Sequence, residues 1–310
     1  MTLTELKYIV AVAREKHYVR AAEACFVSQP TLSAAVKRLE DELDVKLFER
    51  GANEVSVTPL GKQIVRQAQE VIEQAAAIRE IAKLGKDPLA GPLKLGTIYT
   101  IGPYLLPDLV RNTIAMSPQM PLVLHENFTV KLLEMLRTGE LDCAIMAEPF
   151  PDTGLAMAPL YDEPFVIAVP KNHALAKRKS ISAEELQLEP MLLLGTGHCF
   201  RDHVLEVCPE YARFANGADG IRKSFEGSSL ETIKHMVASG IGVTVVPQLS
   251  VPPEAQAAAD PHLAYVPFAD PVPTRRVVLA WRRSFPRYAA IAALRNAVHA
   301  CRLDGVSWLS

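Results

Sequence analysis

The residues best suited to chemistry are two cysteines within the run 195–209. Cys199 follows a glycine-rich turn and opens a helical pattern, so we expect it in the first turn of a helix. The positive end of the helix dipole favours a thiolate there, and the neighbouring His198 and Arg201 could stabilise the anion or pass a proton. A thiolate attacks peroxide to give a sulfenic acid, and then a disulfide if a second thiol reaches it.

Cys208 is the candidate second thiol. It lies nine residues after Cys199 and just before Pro209, where a helix should end. On one continuous helix, nine residues rise about 13–14 Å and put the two cysteines on opposite faces. A disulfide needs Cα atoms within roughly 7 Å. Oxidation would therefore have to unwind the segment, which is what a switch requires.

Other interpretations of the cysteines stay open. The chain has five cysteines at irregular spacing, which is not a disulfide framework, and each could be a small buried hydrophobic residue. A metal site is a second alternative, although the spacing matches no established zinc pattern, and we predict neither metal nor cofactor. Its ligands would be His198, Cys199, His203 and Cys208. The remaining cysteines, which we interpret as structural, are Cys25, Cys143 and Cys301.

The first sixty residues predict a winged helix-turn-helix. Apolar spacing indicates helices over 3–15 and 19–26, and a third helix that begins after Ser28, an N-cap residue. Residues 46–57 indicate two short strands around a Gly/Asn turn, the wing. In this motif the second helix of the pair enters the major groove of DNA.

Exposed polar residues around the third helix are the candidates for DNA contact. Glutamine can pair with adenine, and serine or threonine can contact bases or phosphates. The candidates are Ser28, Gln29, Pro30, Thr31, Ser33, Lys37 and, in the wing, Arg50. The net charge is −2, and acidic residues slightly outnumber basic ones in the first sixty, so the DNA prediction rests on the motif alone. A helical hairpin with a solvated polar face is the alternative.

A long helix and an alternating region follow. Thr58-Pro59 begins a helix with an apolar residue every three or four positions, roughly 40 Å long. Its narrow apolar seam favours pairing with a second copy, and packing on its own domain is the alternative. After a linker at 86–92, strands alternate with helices, which predicts mostly parallel sheets.

The motifs of the first domain resemble the signature of LysR-type transcriptional regulators. They are Ala21-Ala22-Glu23, Val27-Ser28-Gln29-Pro30-Thr31-Leu32-Ser33, Leu47-Phe48-Glu49-Arg50 and Thr58-Pro59-Leu60-Gly61. The stretches 227–232 and 237–247 resemble the second lobe of that family's sensing domain. The resemblance implies an α/β periplasmic-binding-protein-like domain of two lobes, a homo-oligomer built as a dimer of dimers, binding to an interrupted palindrome in promoter DNA, and contact with RNA polymerase.

We therefore expect three parts. They are a winged helix-turn-helix at 1–58, a dimerising linker helix and hinge at 59–87, and a redox-sensing domain at 88–310, with lobe I at about 88–162 and 268–310 and lobe II at about 163–267.

The run Gly197-His198-Cys199-Phe200-Arg201-Asp202 resembles the peroxide-responsive members of that family. The resemblance implies that Cys199 reacts with hydrogen peroxide, that Cys208 resolves it to a disulfide, and that Thr100 and Thr129 help to hold the peroxide. Helix N-capping is the alternative role for both threonines. Asp202 matches the family pattern, whereas Phe200 and His203 depart from its commoner Leu and Gln.

The resulting prediction is a hydrogen-peroxide-sensing regulator of oxidative-stress defence genes that a cellular dithiol reductant resets. A metabolite-responsive regulator with incidental cysteines is the alternative. A thiol peroxidase would leave the DNA-binding motif unexplained, so we predict no enzyme. No apolar run reaches the roughly 18–20 residues that span a bilayer, and the N-terminus lacks the pattern of a signal peptide, so we expect a cytoplasmic protein without membrane contact.

Overall fold

The chain forms two compact units, Met1–Lys86 and Asp87–Ser310. The computed structural model describes residues 1–50, 55–84, 87, 89–151, 154–211, 224–227, 229–253, 256–257 and 260–309, of which 50, 77, 79–84 and 224–226 are described by backbone alone. The predicted turn of the wing and part of the predicted linker lie outside these residues. None of the described helices is long and apolar enough to cross a membrane.

The first unit is the predicted winged helix-turn-helix followed by a long helix. Its elements are α1 (Leu3–Glu15), α2 (Tyr18–Ala24), α3 (Gln29–Leu43), β1 (Phe48–Arg50), β2 (Val55–Val57) and α4 (Pro59–Leu84). A capping box at Thr2 and Glu5 begins α1, and Ser28 caps α3. The strands β1 and β2 pair antiparallel. Ile9 and Leu32 lie at the centre of the core that α1, α2 and α3 share.

The apolar residues along α4 differ in their burial. Ala68 is buried in the core of the first unit, and Ile64 and Ile72 pack against it. Ile78, further along the same apolar spacing, is 69% exposed. The stretch of α4 around Ala68 therefore packs on its own domain, and pairing of the seam with a second copy stays a prediction.

The second unit alternates strands and helices. Its elements are β3 (Leu93–Ile98), α5 (Gly102–Met116), β4 (Leu122–Asn127), α6 (Thr129–Thr138), β5 (Cys143–Ala147), β6 (Ala156–Pro170), α7 (Ala183–Leu186), β7 (Met191–Leu194), α8 (Cys199–Val207), β8 (Ser224–Gly227), α9 (Leu230–Ala238), β9 (Thr244–Pro247), β10 (Leu263–Pro267), β11 (Thr274–Trp281), α10 (Tyr288–His299) and β12 (Ser307–Trp308).

The prediction of mostly parallel sheets is wrong for half of this unit. Strand β3 pairs parallel with β4 and β5, and β7 pairs parallel with β8. Strands β9, β10, β11 and β12 instead pair antiparallel with β6, and β11 also pairs antiparallel with β5. The reason is that β6 and β11 carry the chain between two lobes directly, without the crossover helix that parallel neighbours need.

Each lobe has its own hydrophobic core, and β6 runs through both. The first half of β6 pairs with β11, and its second half, from Phe165, pairs with β9 and β10. The core of lobe I contains residues from Leu93 to Tyr161 and from Val277 to Leu303. The core of lobe II contains residues from Phe165 to Phe268.

Candidate functional site

Helix α8 positions both candidate cysteines. It begins at Cys199 and ends at Val207, with Cys208 as its C-cap residue, and Gly197 makes the preceding turn with φ +101°. A nine-residue helix is marginal by itself in water. Burial of Phe200 in the core of lobe II stabilises it. The predicted helical state of this segment, with Cys199 in the first turn, is confirmed.

The two thiols face different lobes. Cys199 is half-buried and packs against the core of lobe I, whereas Cys208 is fully buried in the core of lobe II. Both are free thiols, and two turns of helix lie between them. With about 13–14 Å of helical rise separating their Cα atoms, no disulfide can form while α8 persists.

A pocket between the lobes opens beside Cys199. Its lining residues are Ile98, Tyr99, Thr100, Asn127, Phe128, Thr129, Gly197, His198, Cys199 and Phe200. Thr100 follows β3 and Thr129 follows β4, and these parallel neighbours end at the same edge of the sheet. Neither threonine is an N-cap, since Ile101 and Phe128 occupy those positions without side-chain cap bonds. The N-cap interpretation of Thr100 and Thr129 is therefore wrong.

Sequence reasoning missed Arg275, which is buried beside the pocket. Its Nε donates to Glu163 Oε2 over 2.8 Å, and its Nη1 donates to the Thr100 hydroxyl over 2.7 Å. A second guanidinium nitrogen donates to the Thr100 carbonyl over 3.0 Å, and the group lies 5.1 Å from the centre of the Phe200 ring. The only signal in the sequence was a charged residue at an inward-facing position of the apolar strand β11.

Burial raises the pKa of the Cys199 thiol, against the stabilising effect expected from the helix dipole. The Thr129 hydroxyl and then the positive charge of Arg275 oppose this rise, whereas Asp202 adds to it. The Thr129 oxygen is itself buried and forms no well-aligned hydrogen bond among the described residues. Proximity to the thiol thus accounts for its effect, and desolvation outweighs the local donors.

Arg201 and Asp202 both lie close to Cys199 in the chain, in the first turn of α8. Arg201 lies in the first turn of α8 and donates from Nη1 to the Leu194 carbonyl over 3.0 Å, which ties the helix to β7. Asp202 brings a negative charge near Cys199, the opposite sign to what a thiolate needs. The positive charge that lowers the pKa of Cys199 comes from Arg275.

The two histidines of the run occupy different places. His198 is the N-cap residue of α8, buried, with its ring 4.8 Å from that of Phe128. His203 is also buried, and its Nε2 donates to the Glu148 carbonyl over 2.8 Å. Burial, together with the charge of Arg275, lowers the pKa of His203, so its neutral form connects α8 to the chain after β5. The Nδ1 atom of His203 has no partner within the described part of the chain.

The remaining thiols lie in apolar surroundings. Burial raises the pKa of Cys208 to about 12 and that of Cys301 to about 11, and it raises the pKa of Cys143 further still. Cys25 lies in the first unit, where burial also raises its pKa. The described residues contain no group of three or more His, Cys, Asp or Glu side chains placed to hold a metal ion.

The predicted DNA-contact residues lie along one side of α3. Ser28 caps the helix by accepting from the Thr31 amide over 3.4 Å, and its hydroxyl is 2.8 Å from that of Thr31. Gln29, Pro30, Thr31 and Lys37 are exposed and Ser33 is half-buried. The opposite side, with Leu32, Val36 and Leu39, is buried. The side chain of Arg50 lies outside the described residues.

Comparisons with known proteins cover both units. Residues 3–62 match the bacterial regulatory helix-turn-helix protein of the lysR family, and residues 86–301 match the LysR substrate binding domain. The chain belongs to the LysR family. It is 38% identical over 305 residues to the "DNA-binding transcriptional dual regulator OxyR" of Escherichia coli, covering 98% of this chain and 97% of that protein.

Two solved structures extend the likeness within the LysR family. A full-length OxyR variant from Pseudomonas aeruginosa is 51% identical, with a TM-score of 0.71 over 98% of this chain and 96% of that one. A hydrogen-peroxide-bound OxyR mutant from Corynebacterium glutamicum is 32% identical, with a TM-score of 0.61 over 96% and 91%. The likeness spans both units, so this LysR-family chain is a DNA-binding transcription regulator of the OxyR type.

Proposed function

We propose that the chain senses hydrogen peroxide and switches transcription of oxidative-stress defence genes through a reversible Cys199–Cys208 disulfide. The observation that supports this most is the position of the two thiols at opposite ends of α8, facing different lobes. The bond forms only when the helix is lost, so oxidation changes the shape of the regulatory domain and, through it, of the oligomer.

The chemistry has two steps. The Cys199 thiolate attacks one peroxide oxygen, an S–O bond forms, the O–O bond breaks, and the leaving hydroxide takes a proton to become water. The Cys208 thiol then loses its proton and its sulfur attacks the sulfur of the sulfenic acid. The S–O bond breaks, the leaving hydroxide takes that proton to become a second water, and the disulfide closes. Peroxide is reduced and the two thiols are oxidised, and a cellular dithiol then restores both thiols by exchange and is itself oxidised to a disulfide.

The pocket supplies what the first step requires. We assign Thr100 and Thr129 to hold peroxide beside Cys199, since both hydroxyls lie at the same sheet edge and line the pocket. Arg275 donates to Thr100 and carries the positive charge that favours the Cys199 thiolate. His198 and Arg201 fix the start of α8, and Asp202 lies in its first turn.

A sensor differs from a peroxidase in that it need not reduce peroxide in rapid repeated cycles. Cys208 is buried and its pKa is raised to about 12, so it cannot resolve the sulfenic acid until α8 unfolds. We therefore assign the chain the role of a regulator that reacts once per signal, not that of an enzyme.

We assign promoter DNA as the partner of the α3 residues Ser28, Gln29, Pro30, Thr31, Ser33 and Lys37, with Arg50 in the wing. The winged helix-turn-helix at 1–58, the linker helix and hinge at 59–87 and the two lobes of 88–310 would act as a cytoplasmic dimer of dimers. The exposed Ile78, on the apolar seam of α4, supports pairing of two copies. RNA polymerase is the expected partner of the DNA-bound form.

Thiol mapping by intact mass tests this function. The reduced full-length chain receives a near-stoichiometric dose of hydrogen peroxide and is then alkylated. We expect a loss of two mass units that maps to a Cys199–Cys208 link and that dithiol reverses. Cys25→Ser, which removes a half-buried thiol in the other unit, should behave like the wild type. Persistent alkylation of both Cys199 and Cys208 in protein that still binds DNA would refute the proposal and favour a metabolite-responsive regulator.

A further inference from the structure

Two aromatic–threonine pairs end the neighbouring strands beside Cys199. Tyr99-Thr100 follows β3, and Phe128-Thr129 follows β4. The threonines are buried at 3% and 7% exposure, whereas the aromatic rings before them are 38% and 37% exposed. Each pair thus buries a threonine in the wall of the pocket and leaves an aromatic ring partly exposed.

The rings of Tyr99 and Phe128, in lobe I, contact the His198 ring, in lobe II. The Phe128 ring lies 4.8 Å from the His198 ring and 5.3 Å from the Tyr99 ring, and Tyr99 lies 5.8 Å from His198. These are edge-to-face and tilted contacts at the separations that aromatic pairs prefer. His198 is only 6% exposed because the two lobe I rings cover it.

The loop before α8 passes beside Phe128. A Cβ added at Gly197 would lie at ordinary van der Waals distance, 3.4 to 3.6 Å, from three carbons of the Phe128 ring, so the loop passes beside the ring. The positive φ of Gly197, +101°, holds the loop in that position. The ring therefore has support from His198, Tyr99 and the loop before α8.

We propose that Tyr99, Phe128 and His198 form an aromatic filter over Cys199 that admits hydrogen peroxide and excludes bulky organic hydroperoxides. All three rings line the same pocket as the half-buried Cys199, and Tyr99 and Phe128 are partly exposed to solvent. Hydrogen peroxide is little larger than water and passes beside the rings. A cumyl hydroperoxide must displace Phe128 before its terminal oxygen reaches the thiolate, which breaks contacts in both lobes. The proposal rests on the peroxide-sensing function proposed above.

Hydrogen peroxide and an organic hydroperoxide oxidise Cys199 by the same step. The Cys199 thiolate attacks the terminal oxygen of the hydroperoxide, the O–O bond breaks, and the leaving alkoxide takes a proton to become an alcohol. The filter acts on access alone, so it changes which hydroperoxide reacts and leaves the chemistry unchanged.

The test compares two rate constants in the reduced full-length chain. Sulfenic acid or disulfide formation at Cys199 is followed by rapid quenching and mass spectrometry with hydrogen peroxide and with cumene hydroperoxide. We expect the wild type to prefer hydrogen peroxide, and Phe128→Ala to narrow that preference by on the order of tenfold or more, mainly by accelerating cumene hydroperoxide. Tyr99→Ala should act in the same direction.

Two control variants separate access from packing. Val130→Ala changes the neighbouring, 75% exposed residue of α6, which does not line the pocket, and Tyr99→Phe keeps the ring while removing its hydroxyl. Both should keep the wild-type preference. An unchanged preference in Phe128→Ala and Tyr99→Ala together would overturn the filter.

Alkylation distinguishes failure of the filter from failure of the sensor. Cys199 of the same variants is treated with iodoacetamide and with the larger monobromobimane, and the ratio of the two rates is measured. Phe128→Ala should raise the relative rate of monobromobimane. If wild-type Cys199 reacts with neither hydroperoxide, the proposed function fails, and this ratio still decides for or against the filter.

Discussion

The two ends of α8 place the same functional group in opposite environments. Cys199 at the first residue borders a pocket with two threonine hydroxyls and the charge of Arg275 nearby. Cys208 at the other end is fully buried in the core of lobe II, where burial raises its pKa to about 12. We therefore expect Cys199 to react first, because it borders the pocket and lies near a positive charge, whereas Cys208 is enclosed in an apolar core.

Exchanging either thiol for serine should give the largest effect and a different product in each case. Cys199→Ser should abolish the reaction at near-stoichiometric peroxide, because Cys208 is protonated and inaccessible. Cys208→Ser should stop at a sulfenic acid on Cys199, a gain of 16 mass units that dimedone traps. Intact mass measures both, and disulfide formation by Cys208 in the Cys199→Ser chain would reverse the assignment.

Removing the positive charge of Arg275 should destabilise the second unit and slow the reaction of Cys199 with peroxide. Arg275→Met leaves the Glu163 carboxylate buried without its partner and should cost about 3–5 kcal/mol of unfolding free energy. The loss of positive charge also raises the pKa of Cys199 further, so its reaction with peroxide should slow. Urea denaturation and peroxide kinetics measure the two effects.

The double variant Arg275→Met, Glu163→Leu is the matched control. It removes both charges, so it should recover most of the free energy of unfolding, while Cys199 still reacts slowly with peroxide. A double variant that reacts with peroxide at the wild-type rate would contradict the role given to Arg275.

The rate at which Cys199 reacts with peroxide should depend on pH in the direction that its raised pKa requires. Burial raises that pKa above the ordinary value of 9.0, so the thiolate is the minor form at neutral pH. Its rate constant with peroxide should therefore rise about tenfold per pH unit as pH approaches the pKa. Stopped-flow kinetics over a pH series measures this, and a plateau at neutral pH would show that the local donors outweigh desolvation.

Breaking the hydrogen bond between His203 of α8 and the chain after β5 should have the smallest effect, a small shift in the reduction potential of the disulfide. His203→Ala removes the hydrogen bond to the Glu148 carbonyl, which stabilises reduced α8 by about 1 kcal/mol. The disulfide should then form at a slightly lower reduction potential, while His203→Gln, which retains a donor, should stay near the wild type. Equilibration with glutathione measures the potential, and a shift toward harder oxidation in His203→Ala would contradict this role.

The limits of α8 could be predicted from the sequence because local chemistry sets them. A glycine-rich turn precedes Cys199, Pro209 follows Cys208, and the structure ends the helix between those points. The winged helix-turn-helix was predictable for the same reason, since Ser28 and the spacing of Leu32, Val36 and Leu39 define α3 locally.

The features that depend on tertiary packing were not predictable in this way. Arg275 reaches the pocket only because β11 pairs with β6 and carries it toward Thr100 and Glu163. The direction of the pKa shift at Cys199 depends on how much protein surrounds it, which spacing along a helix does not give. The contacts of Arg201 with β7 and of His203 with Glu148 have the same origin.

Hydrogen exchange along α8 tests the central claim most directly. Amides from Phe200 to Val207 are compared in the reduced chain and in the chain oxidised to the Cys199–Cys208 disulfide, with the buried strand β5 as an internal reference. Loss of protection throughout α8 on oxidation, with β5 unchanged, is the predicted result. Complete disulfide formation with the protection of α8 retained would contradict the account.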